Sequence, residues 1–485
     1  MRNQLSAQLS VVGYNYEEIK VSSIIAELLE ISPPDDEFER MKALMAGGDK
    51  LREYSENGEG VGAAIIAEIR RRRANDLPTS TAYIIDSLKN PAEIRLLDQI
   101  YGRNFYTVSV YLPKSDRVAN LKNKIAQRRH EPPGDRHERQ AENLVAEDEQ
   151  GIGPKAQNVR ESFPKADFFV NGTDDISAQI KRFVGLIFRE PFATPTPDEF
   201  HMFVAKAAAL RSCDLSRQVG AVIVDPCQAV VSTGCNEVPY PGGGIFYEGR
   251  SGGIGDNRDW TKGHDPNYIE IQRTLIEFID VLKEAGYVQE DCTAAKLADR
   301  LLHGRYRELM KNARVRNLIE FGRVVHAEMH ALSQAAMMGR SVRGATMYVT
   351  TFPCHGCARH IIASGVSEVV FIEPYPKSLT EQLYDDEIEL VHRPLADGNP
   401  TMPIERVRFR PFHGVAPTLY QRVFAYRDRK NELGIIANWA PKKAMPVGAG
   451  FGVERSKVET SASNSVAETL EKIRVSNAES DKGGN

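Results

Sequence analysis

The stretch TTFPCHGCARH, residues 350–360, sets Cys354 and Cys357 three positions apart behind Pro353, in a chain of 485 residues that carries only six cysteines. A strand pattern, ATMYVTT, runs into it and a helical pattern, CHGCARHIIAS, runs out to a stop at Gly365. Both thiols therefore fall on the first turn of a helix and on one face. There the helix dipole favours a thiolate. Such a pair wants a cation. The strand EVVFIEP that follows makes the whole a βαβ unit, whose crossover is expected to be right-handed. The chain must fold so that the carboxyl end of one strand delivers the two thiols, and some other element must complete the site.

That element is expected to be the helix in VVHAEMHALSQAAMM, which stops at Gly339. Its His326 lies 28 residues upstream of Cys354, one helix and one strand away. Glu328 follows two positions later. In a regular helix, positions i and i+2 point roughly 200° apart. His326 and Glu328 can thus share a site only if the helix begins there. Zinc takes thiolate and imidazole ligands in tetrahedral geometry, and three protein ligands leave its fourth position to water, which becomes acidic. Glu328 is then placed to take that water's proton and deliver it elsewhere. H-x-E combined with P-C-x-x-C is the signature of zinc deaminases acting on cytosine or adenine.

Rival readings use the same residues. His326 and His330 are four apart and could join both cysteines in a closed structural Cys₂His₂ site. A metalloprotease helix needs glutamate directly after its first histidine, and Ala327 stands there instead. His355 and His360 read as solvent-facing or supporting groups. Cys213, Cys227, Cys235 and Cys292 lack metal-ligand spacing and read as small buried or incidental side chains.

Along the chain, three zones separate. Residues 1–128 alternate helical stretches such as GVGAAIIAEIRRRR with the apolar strands TAYIID and FYTVSVYLP, an α/β pattern with a parallel sheet. Residues 129–164 are polar enough to read as a mobile linker with one short helix. From 165 to 450 the chain is ordered again, with helices in DDISAQIKRFVGLIFRE and TPDEFHMFVAKAAALRS. The paired strands QVGAVIVD and QAVVSTG follow, with a turn at Pro226. Residues 237–320 are an insert, glycine-rich first and helical after. It is read either as a cover or effector site, or as a surface loop. Residues 451–485 are read as a disordered tail.

With these residues in hand, the third zone, over roughly residues 165–425, resembles the cytidine and deoxycytidylate deaminases. The match runs over SRQVGAVIVD (216–225), STGCNEVP (232–239), HAE (326–328) and YVTTFPCHGC (348–357). The resemblance implies a three-layer α/β/α domain with Zn²⁺ held by His326, Cys354 and Cys357, and with Glu328 as proton shuttle. It puts Asn236 against the nucleoside sugar, Arg217 of the Ser216-Arg217-Gln218 run near the substrate phosphate, and Ala327 at the substrate. The front zone joined to such a domain is similar to the bacterial anti-phage dCTP/dCMP deaminases, which carry a P-loop-kinase-like domain ahead of the deaminase. AYIIDSLKNPAEIRLLDQIYG resembles the strand, acidic residue and helix of P-loop kinases. Asp86 is its strand-end acid, or simply a surface acid or helix cap. No G-x-x-x-x-G-K-[ST] occurs anywhere. Either the natural start lies upstream, or the domain has lost its phosphate cradle. Kinase activity is not expected.

Charge and composition narrow the function further. With 41% hydrophobic and 26% charged residues and no apolar run near the roughly 18 residues of a membrane span, a membrane partner is not expected. The amino terminus lacks a signal core, so a cytoplasmic location is expected. A net charge of -4 argues against nucleic acid as the main substrate. The basic run Arg70-Arg71-Arg72-Arg73 reads as a solvated helix end. The expected function is hydrolysis of free deoxycytidine nucleotides (dCMP, dCTP) to deoxyuridine nucleotides and ammonia. Alternatives are a deaminase acting on single-stranded nucleic acid and a non-catalytic zinc-stabilised binding protein. The resemblance further implies a homo-oligomer, a regulatory nucleotide and a role in antiviral defence.

Overall fold

The computed structural model describes all residues except 75–79, 150, 152–154, 250–254, 289–291, 311–312, 319, 376–377, 393–404, 449–454 and 483–485. Parts of the expected linker, of the glycine-rich insert and of the polar tail thus lie outside the described residues. No helix among those described is long and apolar enough to cross a membrane.

The chain divides into two compact units, Met1–Glu199 with His413–Asn485, and Phe200–Phe412. In the first, strands β1 (Asn15–Lys20) and β2 (Thr81–Asp86) pair in parallel, Asn15 opposite Thr81 through Lys20 opposite Asp86. Strands β3 (Val108–Tyr111) and β4 (Phe168–Asn171) form a second parallel pair, to which the short strand Gly414–Val415 adds antiparallel. Helix Gly60–Arg73 is buried around much of its circumference, from Gly60 to Ile66 and again at Ile69. A Cβ on Gly60 would stand 2.2 Å from Leu51 O, so only glycine lets the neighbouring helix Glu37–Tyr54 come this close. Helix Pro91–Tyr101 starts on Asn90 with a full capping box and proline in its first turn. At the carboxyl end of β2, Asp86 pairs with Arg2 at 3.2 Å.

Three expectations about organisation fail in this unit. The stretch 129–164 is no free linker: helix Asp135–Glu149 buries His137, Ala141, Leu144 and Val145, and it shares a core with Met45 and Ile125. Strand β4 pairs with β3, so the boundary falls at Phe200 and not at 165. The tail, too, is a helix, Arg455–Lys482, and it buries Ala462, Val466, Thr469 and Ile473. Their spacings of four, three and four draw one stripe along a helix, which overall polarity conceals. The arginine run proves to be paired as well as solvated. Arg71 and Arg72 bond Glu68, Arg72 also reaches Glu17, and Arg73 bonds Glu459 of the last helix at 3.1 Å.

The second unit is built on one mixed six-stranded sheet: β5 (Gly220–Val224), β6 (Val230–Cys235), β7 (Thr346–Thr351), β8 (Glu368–Glu373), β9 (Ile388–Leu390) and β10 (Val407–Pro411), in spatial order β6-β5-β7-β8-β10-β9. β5 runs antiparallel to β6 and β7, and β7, β8, β10 and β9 run parallel. Alternation along β7 sends Met347 and Val349 into a core with Ala327, Ala331 and Ile361 of helices Ala327–Met337 and His355–Ser364. Tyr348 points to the opposite face and meets the His201 ring of helix Pro197–Ala209 at 5.2 Å. The expected α/β/α sandwich is therefore present. The insert carries a small core of its own, where helices Pro266–Glu284 and Ala294–Leu302 enclose Leu275, Ile279, Leu297 and Leu302.

Candidate metal centre

Two helix starts converge on the site. His326 is the residue before helix Ala327–Met337, with extended backbone at φ -65° and ψ 153°. Cys354 has the same place before helix His355–Ser364, with φ -70° and ψ 161°. Because the helix begins at Ala327, His326 sits outside the regular spiral and can face the same space as Glu328. Its approach is fixed from both sides. Val325 N donates to Glu237 O at 3.0 Å, and His330 N donates to His326 O at 2.8 Å, closing the first turn. The helix lies tight on β6: a Cβ on Gly234 would stand 2.1 Å from Ala327 O, and Ser232 Oγ donates to Ala331 O at 2.8 Å.

His326 Nδ1 stands 3.3 Å from Cys354 Sγ and 3.4 Å from Cys357 Sγ. One ligand atom from each of the three lies within 4.8 Å of the others. The three groups hold their protons unequally. Its bond with Cys357, and then the bond and charge of His326, pull the Cys354 thiol down to about 4. Cys357 goes the other way, raised by its bond to Cys354 and by burial. The bond to Cys354 and, against the effect of burial, the Glu328 charge lift His326 to about 9. The three donors are soft, close together and largely buried. Tetrahedral zinc on two thiolates and an imidazole fits this donor set.

Glu328 is buried, and burial followed by the Cys354 charge pushes its carboxyl up to about 7. His330 does not join the donors. Its Nδ1 accepts from Cys235 N at 3.1 Å, and burial, with Arg211 adding to it, lowers its pKa. Among the described residues the donor group comprises His326, Cys354 and Cys357 without His330, which counts against the closed Cys₂His₂ alternative. His355 and His360 lie outside the donor set too.

The expected substrate residues line up around this centre in different ways. Asn236 is buried, and its amide bridges the loop before β5: Oδ1 accepts from Val219 N at 2.7 Å and Nδ2 donates to Arg217 O at 2.8 Å. Arg217 is exposed, with its guanidinium 5.8 Å from the Tyr375 ring. The Ala327 side chain is fully buried, leaving only its first-turn N–H without an intrahelical partner. Tyr375 escaped the sequence reading. Burial and the Cys354 charge raise its phenol and Arg217 lowers it, so it lies between metal ligand and arginine. The signal was there in EPYP, an aromatic just past the carboxyl end of parallel strand β8, where α/β sheets bind ligands.

An α/β/α sandwich on which His326, Cys354 and Cys357 converge, with a buried acid beside them, defines a domain whose donor set fits zinc. Residues 195–373 match the family model described as the cytidine and deoxycytidylate deaminase zinc-binding region. Deoxycytidylate deaminase of enterobacteria phage T4 is 48% identical over 54 residues, 11% of this chain and 28% of its own length. The Mus musculus deoxycytidylate deaminase is 26% identical over 174 residues, 36% of this chain and 63% of its own. Among solved structures, the dCMP deaminase of cyanophage S-TIM5 in complex with dCMP and dUMP aligns at 18% identity and a TM-score of 0.23. That alignment covers 39% of this chain and 91% of the other. The chain thus spans less than a third of the phage T4 relative and under two thirds of the mouse one.

Proposed function

We propose that the second unit hydrolyses the 4-amino group of a free deoxycytidine nucleotide, with dCMP and dCTP as the candidate substrates. The observation that carries this reading is the convergence of His326, Cys354 and Cys357 within 4.8 Å of one another, with the buried Glu328 carboxyl beside them. Zinc, when bound, acidifies and polarises a water molecule. Glu328 would accept a proton from water and give it to N3 of the ring as oxygen adds to C4, then take the remaining proton from the C4 hydroxyl and pass it to the departing amine. The C4–N bond breaks and ammonia leaves. A carboxyl near 7 is suited to moving a proton both ways at neutral pH. Arg217 supplies positive charge for a phosphate, and Tyr375 braces it. Asn236 holds the loop that carries Arg217, with its remaining amide capacity facing a sugar hydroxyl.

Within the same reading, a homo-oligomer acting in the cytoplasm and controlled by a regulatory nucleotide would deplete the deoxycytidine pool on which an infecting phage draws. The first unit, kinase-like in its pattern, would then sense nucleotides and not phosphorylate them. The test is release of ammonia and deoxyuridine nucleotide from purified protein offered dCMP, dCTP, cytidine and a cytosine-containing single strand. Turnover of dCMP or dCTP that vanishes in a zinc-loaded Glu328→Ala protein supports the reading. Turnover of the single strand alone, or none in either protein with zinc bound in both, overturns it.

A further inference from the structure

In the first unit, helix Ile176–Ile187 ends in a left-handed residue. Phe188 is its C-cap and Arg189 follows at φ 61°, with Arg189 N donating to Leu186 O at 3.2 Å and Glu190 N to Gly185 O at 2.9 Å. Glycine suits such a position, because a Cβ there crowds the following carbonyl. Here an arginine is kept against that preference, and it is exposed. An outlier of this kind points to a task for the side chain.

Three more arginines gather beside it. Arg429 Nε donates to Pro191 O at 2.9 Å, which ties it to the turn just past Arg189. Arg427 Nη2 donates to Val423 O at 2.8 Å. Arg422 Nη2 donates to Arg103 O at 2.7 Å and to Val447 O at 3.3 Å, and its buried Nε has no partner. The Arg422 guanidinium lies 5.4 Å from the Tyr106 ring, and the charges of both Arg422 and Arg189 bear on the Tyr106 phenol. Among the described residues none of these four arginines is ion-paired to a carboxylate, in contrast with Arg71, Arg72 and Arg73. Asp167, which feels Arg422, turns its Oδ2 to Thr107 N at 2.8 Å and Thr107 Oγ1 at 3.1 Å. The cluster repels itself: after burial, the charges of Arg189 and Arg429 are what lower the pKa of Arg427.

We propose that Arg189, Arg422, Arg427 and Arg429 form an anion site for the phosphate chain of a free nucleoside triphosphate. Planar guanidinium forks match phosphate oxygens pairwise, and four of them call for more charge than one phosphate carries. Tyr426, adjacent to Arg427 and 81% exposed, offers a face on which a base can stack. The inference deepens the nucleotide-sensing role proposed for the first unit, and its test does not depend on deaminase turnover.

The experiment is isothermal titration of the full-length protein with ATP, with inorganic tripolyphosphate and with a 20-nucleotide single strand, at physiological ionic strength. ATP should bind saturably. Arg189→Gly, and separately the double change Arg427→Gln with Arg429→Gln, should each weaken it by about tenfold or more, the scale of one lost charge-assisted bond. Arg189→Gly should leave the thermal midpoint unchanged or higher, since glycine accepts the left-handed turn. A merely structural arginine would lower it. Absence of saturable ATP binding, or binding unchanged in both variants, would overturn the proposal. Tripolyphosphate binding as tightly as ATP would remove the base from it. A single strand that binds more tightly than ATP would reassign the patch to nucleic acid.

Discussion

Each unit buries a glutamate, and the two are used in opposite ways. Glu93 is fully buried in the first unit, and every direction around it is answered. It bonds Arg52 Nε and Nη2 at 2.8 Å each, Lys89 N at 2.8 Å and Asn90 N at 3.2 Å. Glu328, in the second unit, has Cys354 and His326 for charged neighbours and Cys357 for a hydrogen-bond partner, and burial pushes its carboxyl up to about 7. The first arrangement fixes an acid in a helix cap, held by an arginine and two backbone N–H groups. The second keeps an acid on the edge of protonation. Burial alone therefore does not mark a working residue; what surrounds the buried charge does.

The comparison can be broken at several points. Glu328→Ala should lower turnover of dCMP or dCTP by on the order of 10³-fold while zinc content stays whole, since only the proton path is removed. The thermal midpoint should hold or rise, because a costly buried acid is gone. Turnover assays, metal analysis and calorimetry on the same preparation check all three. Arg52→Ala does the reverse. It strands the Glu93 carboxylate without its guanidinium, which should cost about 3–5 kcal/mol in denaturant unfolding of the first unit, with zinc content unaltered. A smaller loss would mean that water or Asp49 takes over the pairing.

Next in size comes the last helix. Ile473→Ala should destabilise the first unit by about 2–4 kcal/mol, as truncation of a buried aliphatic side chain does. An unchanged unfolding midpoint would return 455–482 to the status of a loose tail. The smallest effect is reserved for the edge of the site. Tyr375→Phe keeps the ring that Arg217 faces and loses only the hydroxyl, so KM for dCMP should rise by less than about tenfold with kcat little changed. A fall in kcat as large as that of Glu328→Ala would make Tyr375 part of the chemistry.

Much of the metal centre was legible before any coordinates. Cys354 and Cys357 share a helix turn by spacing alone, and the placement of Glu328 two residues after His326 forces the helix to start between them. The structure has that start at Ala327. Less legible were features set by distant chain. The docking of 135–149 depends on Met45, and the burial of 462–473 depends on helices hundreds of residues away. Tyr375 was missed because nothing local distinguishes a tyrosine beside an arginine in space from one beside prolines in sequence.

Local chemistry by itself determined the types of the candidate ligands, their order, the strand–helix alternation and the acid that stands beside them, because these rest on spacing within one or two turns. Tertiary structure alone decided that His330 serves Cys235, that Asn236 braces the arginine loop, and that the polar carboxyl-terminal stretch closes the core of the amino-terminal unit. Those outcomes depend on which surfaces meet. Burial, field and unanswered charge arise only once remote residues share the same few ångströms.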